Sequence, residues 1–293
     1  MAQTRSVAGA LARLDPAVPV EIVKITTTGD RRLDLSLLDP GPALERGLFT
    51  REIEQALLAE TIDVAVHSLK DLPTTLPDGL ELAAVLPRED PADVLVTRAL
   101  STLVRLPAGV KIATSSARRA CQLLYHRPDL QVSEIRGNVP TRLAKLAADG
   151  SLFGLVLAKA GLQRLGLATG PGVVQSNGVS FHVLELPEML PAAGQGIIGL
   201  EINTANQRAR GCLERINDPS TWHCAQAERR FLQLVNGGCG VPVGVRSWTE
   251  GRTLHMQAVV FDRGAKPRTG QVAVPVEDHR GAAAALLEKI YEE

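Results

Sequence analysis

The stretch LVNGGCGVP, Leu234 to Pro242, sets one cysteine, Cys239, among three glycines. Glycine lacks a Cβ and leaves the backbone open, so a thiol placed there is easy to reach. Three chemistries suit it: a structural thiol in a tight turn, a metal ligand, or a nucleophile to which a group becomes attached. A second candidate is the carboxylate of Asp71, next to Lys70 in HSLKD. Asp71 either caps a turn or serves as an acid or charge stabiliser for a cationic intermediate. A third is a set of guanidiniums just after apolar runs. Arg118 and Arg119 follow ATSS, Arg136 and Arg142 frame RGNVPTR, and Arg164 follows AGLQ. Each alone suits a solvated helix start. Five at corresponding places suit a polyanionic ligand, because guanidiniums and helix N-termini both offer fixed donors to carboxylate or phosphate.

The elements that must position these residues follow from periodicity and punctuation. Val20–Thr27 reads as a strand, residues 47–60 as a helix with Phe49, Ile53 and Leu57 on one face, and Ile62–Val66 and Leu80–Leu86 as strands. PREDP, residues 87–91, breaks the pattern and marks a domain crossing. Val110–Ala113 is a strand, and Thr114, Ser115 and Ser116 offer N-cap chemistry to a helix running to Tyr125. A strand over Gln131–Ile135, a helix with Pro140 in its first turn and Gly150 at its end, a strand over Gly154–Lys159 and a helix at Leu162 follow. This alternation up to about residue 200 predicts parallel α/β sheets. Beyond it, a helix over Thr221–Val235, strands over Val241–Val245, Leu254–Phe261 and Gln271–Val276, and a helix over Ala282–Tyr291 predict a small α+β unit. Cys239 falls on the loop between its first helix and first strand.

Composition narrows the classes. A chain of 293 residues exceeds one comfortable core, so two or three domains are expected. Apolar residues make up 45% and aromatics 3%, so those cores are aliphatic. Lys+Arg and Asp+Glu balance at 32 each, which argues against a general nucleic-acid or membrane surface and leaves room for a local basic cleft. Cys121, Cys212, Cys224 and Cys239 form no C-x-x-C pair, and His223–Cys224 are adjacent rather than spaced for zinc. No metal site is expected, and reduced thiols fit an intracellular protein. No run of about 18 apolar residues suggests a membrane span, and the N-terminus lacks a signal peptide's apolar core. The expectation is a cytoplasmic protein.

Seven stretches occur in one order: IDVAVHSLKDLPT, TSSARRACQL, IRGNVPTRLAKL, LAKAGLQRLGL, AAGQGIIGLE, AERRFL and NGGCGVPVG. From about Val20 to the end, the chain closely resembles the porphobilinogen deaminases, or hydroxymethylbilane synthases. The resemblance implies two domains like those of periplasmic binding proteins, linked by two crossings, with a small α+β third domain carrying the cysteine. The corresponding divisions are 1–86 with 193–214, then 87–192, then 215–293. It implies that Cys239 carries a covalent dipyrromethane through a thioether. Four porphobilinogen molecules would be deaminated and added in turn, and the linear tetrapyrrole released by hydrolysis. Asp71 matches the catalytic aspartate, which would stabilise the cationic azafulvene left by ammonia. Lys70, Ser115, Ser116, Arg118, Arg119, Arg136 and Gly137 match cofactor-binding positions. Arg142, Arg164, Arg46, Phe49 and Gln195 match substrate-binding positions. The product would pass to uroporphyrinogen-III synthase, and the protein would be a monomer with neither nucleic-acid nor membrane partners.

Three departures from the family pattern stand out. Gln3 aligns with a glutamine in the family's first helix, so the preceding strand, I-G-T-R-x-S-x-L-A, is expected to be missing and the chain poorly stable and weakly active. Arg46, in DPGPALERGLF, stands where a lysine is usual, and Asn236 where glutamate is common. The competing expectations are a truncated or inactive family member and a two-domain anion-binding module.

Overall fold

The computed structural model describes residues 1–16, 19–31, 50–167, 172–235, 241–262 and 266–292. Helix α1 (Ala2–Leu14) buries Val7 against the sheet residues Ala84, Ile198 and Leu200. The short α2 (Thr28–Arg31) is tied to α3 (Arg51–Leu58) by Thr28, whose N and Oγ1 both donate to Glu52. Helix α3 in turn buries Leu57 with Ala65 and Leu80. Strand β1 (Ala65–Ser68) runs into a 3₁₀ turn, Leu69–Asp71, and β2 (Leu80–Val85) follows. The chain then crosses to β3 (Asp93–Thr97), β4 (Lys111–Ala113), α4 (Ala117–His126), β5 (Gln131–Ser133), α5 (Val139–Ala148), β6 (Leu152–Ala158) and α6 (Lys159–Arg164). The hairpin β7 (Gly172–Ser176) and β8 (Val179–Glu185) leads back to β9 (Ile198–Asn203) and α7 (Gln207–Glu214). Last come α8 (Pro219–Val235), β10 (Val243–Glu250), β11 (Thr253–Val260), β12 (Arg268–Pro275) and α9 (His279–Tyr291).

Three sheets result, each with its own apolar core. The first, in order β1-β9-β2, unites strands from both ends of the chain excursion. The second has six strands in order β5-β4-β6-β3-β8-β7. Its apolar residues pack on both faces, with Leu143, Leu162 and Phe181 on one side and Leu95, Ile112 and Leu123 on the other. This explains why every residue of β3 is buried and its sequence, DVLVT, does not alternate. The third is the antiparallel meander β10-β11-β12, covered by Phe231 of α8 and by Leu286 and Ile290 of α9. Among the described residues, no helix is long and apolar enough to cross a membrane.

Two expectations are corrected. Among the described residues the six-stranded sheet is mixed and the β1-β9-β2 sheet is antiparallel: β4 pairs in parallel with its neighbours β5 and β6, and the other pairings are antiparallel. The cause lies in the connections. Strands β3 and β8 serve the crossings and both lie antiparallel to their neighbours, while β7 and β8 are joined by a tight Asn177–Gly178 turn with positive φ at both residues. The second correction concerns Val20–Thr27, which forms no strand among the described residues and is largely exposed. An extended segment becomes a strand only when a neighbour takes its hydrogen bonds. The other expected elements are present with shifted ends. Ile62–Val66 begins pairing only at Ala65, and the strand at Gln131 stops at Ser133.

The two crossings, residues 86–92 and 186–197, meet at Gly196, whose carbonyl accepts from Glu89 N at 3.0 Å. Its φ is +84°, and a Cβ there would lie 2.3 Å from the carbonyl oxygen of Glu89. Gly196→Ala should therefore combine a left-handed backbone cost of about 1–3 kcal/mol with a backbone clash, and should lower the melting temperature strongly. Gly109→Ala, at φ +71° with nothing within 4 Å, should show the conformational cost alone. Equal shifts in a thermal melt would contradict this reading of the crossing.

Candidate active site

The turn that carries Lys70 and Asp71 is fixed from beneath. Leu69 is buried, its N–H donates to the Ile197 carbonyl at 3.0 Å, and Ser68 is in register with Ile198. Gly194, at φ +70°, lets the second crossing pass, since a Cβ there would meet Leu69 Cγ at 3.0 Å and Lys70 N at 3.1 Å. Lys70 and Asp71 themselves are exposed.

The arginines come from the starts of α4 and α5. Ser116 caps α4 by accepting from Arg119 N, and Thr114 Oγ1 accepts from Ser116 N at 3.2 Å. Ser115 has a different task. Its hydroxyl donates to the Ile135 carbonyl and accepts from Ile135 N, which ends β5 and bends the chain toward Arg136. Gly137 follows at φ +112°, and Asn138 caps α5 by accepting from Thr141 N at 2.9 Å. Arg142 Nε then donates to the Gly137 carbonyl at 2.7 Å.

Behind these cations lies a carboxylate that the sequence reading missed. Asp93, with no exposed surface, accepts from Arg118 Nη1 at 2.6 Å on Oδ2. Its Oδ1 accepts from Arg119 Nε and Nη2 at 3.0 and 2.7 Å, and from Gln195 Nε2 at 2.9 Å. Burial alone would raise its pKa; the charges of Arg118 and Arg119 outweigh burial and hold the carboxyl far below the usual carboxylate range. The only local signal for Asp93 was a charged residue opening an otherwise apolar run. Gln195 Oε1 accepts from Lys70 Nζ at 3.4 Å, which links the two sides of the site.

The site is strongly cationic. Solvent reaches Lys70, yet protein crowds its ammonium. Desolvation, with smaller contributions from Arg119 and Arg118, lowers its pKa to about 8 against the pull of Asp71 and Asp93. Arg142 is lowered by burial and by the neighbouring charges of Arg119 and Arg136, and Asp71 counters this. Lys70, Asp71, Arg118, Arg119, Arg136, Arg142 and Gln195 thus share one electrostatic environment. Arg164 stands apart. It donates to the Gly196 carbonyl at 2.7 Å and lines a crevice under α1 with Arg13 and Glu89. Arg46, Phe49 and Cys239 lie outside the described residues. Among the described residues, no three His, Cys, Asp or Glu side chains are grouped to hold a metal ion.

A family model described as "Porphobilinogen deaminase, dipyromethane cofactor binding domain" matches residues 1–211, and one for the porphobilinogen deaminase C-terminal domain matches residues 222–291. The chain belongs to the porphobilinogen deaminase family. The porphobilinogen deaminase of Moorella thermoacetica is 45% identical over 258 residues, 88% of this chain and 78% of that protein. That of Roseiflexus castenholzii is 40% identical over 290 residues, covering 99% and 91% of the two chains. Among solved structures, a TRAP periplasmic solute-binding protein from Desulfovibrio salexigens with bound orotic acid overlaps 99% of this chain and 85% of its own. Its identity is 11% and its TM-score 0.36.

The residues present fit a cofactor bearing several carboxylates. Arg118 Nε is buried with no partner, a donor left over by the Asp93 pairing, and Arg142 makes only its Nε bond among the described residues. The lowered pKa of Lys70 has a direct consequence. At pH 7 an amine of pKa about 8 carries roughly 300-fold more neutral form than one at 10.5. Lys70 should be acylated first by limiting reagent, well ahead of Lys159, whose pKa is raised by its pairs with Asp90 and Glu185. Peptide mass spectrometry reads the order, and equal labelling would contradict the assignment.

Proposed function

We propose that this chain is a hydroxymethylbilane synthase, a transferase that joins four porphobilinogen molecules and releases the linear tetrapyrrole. One observation carries the reading: the exposed carboxylate of Asp71 acts on the charges of Lys70 and Arg142, and those two cations also feel Arg118, Arg119 and Arg136. Each pyrrole brings two carboxylates, so a chain of pyrroles needs such a bank of cations. Asp71 accepts a hydrogen bond from a pyrrole N–H and offsets the positive charge that develops as the aminomethyl C–N bond breaks and ammonia leaves. The same contact positions the substrate against the attacking pyrrole, whose free α-carbon bonds to the aminomethyl carbon that has lost ammonia and gives up its proton. When bound, a dipyrromethane on Cys239 Sγ would supply the first pyrrole carbon and the anchor of the growing chain. Lys70, Ser115, Ser116, Arg118, Arg119, Arg136 and Gly137 would hold it. Arg142, Arg164, Arg46, Phe49 and Gln195 would receive the substrate. Arg118 and Arg119 contribute mainly charge, since Asp93 already takes several of their donors.

We further infer that the chain divides into 1–86 with 193–214, 87–192 and 215–293, a division supported by the three sheets. As parts of the same reading, the protein is a cytoplasmic monomer and its unstable linear product passes to uroporphyrinogen-III synthase.

Two measurements test the proposal. Protein from a porphobilinogen-producing host should exceed its sequence mass by two pyrrole units and colour with acidic Ehrlich reagent. Cys239→Ser should lose both signals, and an unmodified mass in the parent would favour a simple anion-binding protein. Asp71→Ala should cut turnover by about 10²–10³ or more with an unchanged melting temperature. Retention of most of the rate would reduce Asp71 to a turn residue.

A further inference from the structure

We propose that Asp93 is a positioning residue for this reaction: with Gln195 it forms one hydrogen-bonded bridge that holds Lys70, beside Asp71, in place against Arg118 and Arg119. The inference rests on the function proposed above and names the device that sets the charge of its site.

The bridge spans three parts of the fold. Lys70 belongs to the turn after β1, Gln195 to the second crossing, Asp93 to the start of β3, and the arginines to α4. The orientation of the Gln195 amide is fixed by its surroundings. Nε2 faces two acceptors, the Pro91 carbonyl at 2.7 Å and Asp93 Oδ1 at 2.9 Å. Oε1 faces two donors, Lys70 Nζ at 3.4 Å and Arg119 Nη2 at 3.5 Å. A flipped amide would set donor against donor and acceptor against acceptor. Arg119 is locked as firmly. Its Nε and Nη2 go to Asp93 and its Nη1 to the Val156 carbonyl at 3.0 Å. Arg118 Nη1 is shared between Asp93 and the Leu190 carbonyl at 2.6 Å.

Charge makes this more than packing. Arg118 and Arg119 are both more than nine-tenths buried, and neighbouring cations at that depth repel strongly unless an anion lies between them. Asp93 is that anion. One negative charge against two leaves the site net positive and its geometry set before any ligand arrives. The charged groups that act on the Lys70 ammonium are Asp71 on its own turn, Arg118 and Arg119 on α4, and Asp93 on β3. Among the described groups acting on Lys70, removing the Asp93 charge leaves Asp71 to hold its proton against both arginines.

The test compares the wild type with Asp93→Asn, Asp93→Glu and Gln195→Ala. It measures KM and kcat for porphobilinogen from pH 6 to 10, dipyrromethane loading by intact mass, and the rate of Lys70 acylation at pH 7. In D93N the alkaline rise in KM should move down by about half a pH unit or more, and Lys70 acylation should quicken at least about twofold. D93E keeps the charge and should hold both near wild type, although its melting temperature falls as well. Q195A keeps every charge and should raise KM several-fold with reduced loading, and it carries the test if D93N does not fold. Wild-type loading and KM in Q195A, or identical pH limbs and labelling rates in D93N and D93E, would overturn the inference. A wild type that never consumes porphobilinogen would sink the functional reading instead, and the labelling comparison would still decide the role of Asp93.

Discussion

Glu228, on α8, has no exposed surface and accepts five hydrogen bonds. Arg88 of the first crossing gives two, at 2.7 and 3.2 Å, and Gly194 of the second crossing gives its N–H at 2.7 Å. Ser247 of β10 gives its N–H and hydroxyl at 2.7 and 2.8 Å. One carboxylate therefore ties both crossings to the third sheet. Ionised groups this deep are tolerated only when paired and fully hydrogen-bonded, and losing Arg88 would take away the cation paired with this buried carboxylate. The path of both crossings past the third sheet is held by this carboxylate.

A second buried carboxylate, Asp93, sits a few residues along the same crossing and faces the site. The two ionic centres divide the work. Glu228 fixes where the chain crosses between sheets, and Asp93 fixes what charge the crossing presents to a ligand. Gln195 and Gly194, neighbours in the second crossing, each belong to one of them. The two centres are thus joined through adjacent residues of one stretch of backbone. A cleft that must accept a growing polyanion without losing register has reason to keep its cations on such a frame rather than on free surface side chains.

How much of this was legible in the sequence depended on range. The cap at Ser116, the helix with Pro140 in its first turn and the α8 helix were readable because caps and periodicity act over three or four residues. The clustering of Lys70, Asp71 and the α4 and α5 arginines followed from their place after strands and from the family resemblance. Asp93 was not readable: its partners lie 25, 26 and 102 residues away, and nothing local announces them. Strand direction failed for a related reason, since β3 and β8 take their direction from the crossings and not from their own composition. The Asn177–Gly178 turn was a local signal for the hairpin, and reading it would have corrected the expectation of purely parallel sheets.

The cysteine that opened the problem lies four residues beyond the end of α8 in sequence, so whatever pins α8 pins the point from which its loop departs. Glu228 is one pin. The next residue, Arg229, is another: it donates to the carbonyls of Leu72, Pro73 and Thr74 at 3.1, 2.8 and 3.2 Å, and Gln233 adds a bond to Thr74 at 2.8 Å. Those carbonyls belong to the segment immediately after Asp71. The helix that precedes Cys239 in sequence is therefore bonded directly to the segment that follows Asp71. These bonds hold the end of α8 in place relative to the turn of Asp71. Under the proposed function, this fixes the point from which the chain leads to Cys239 relative to Asp71, the carboxylate at which repeated addition would take place.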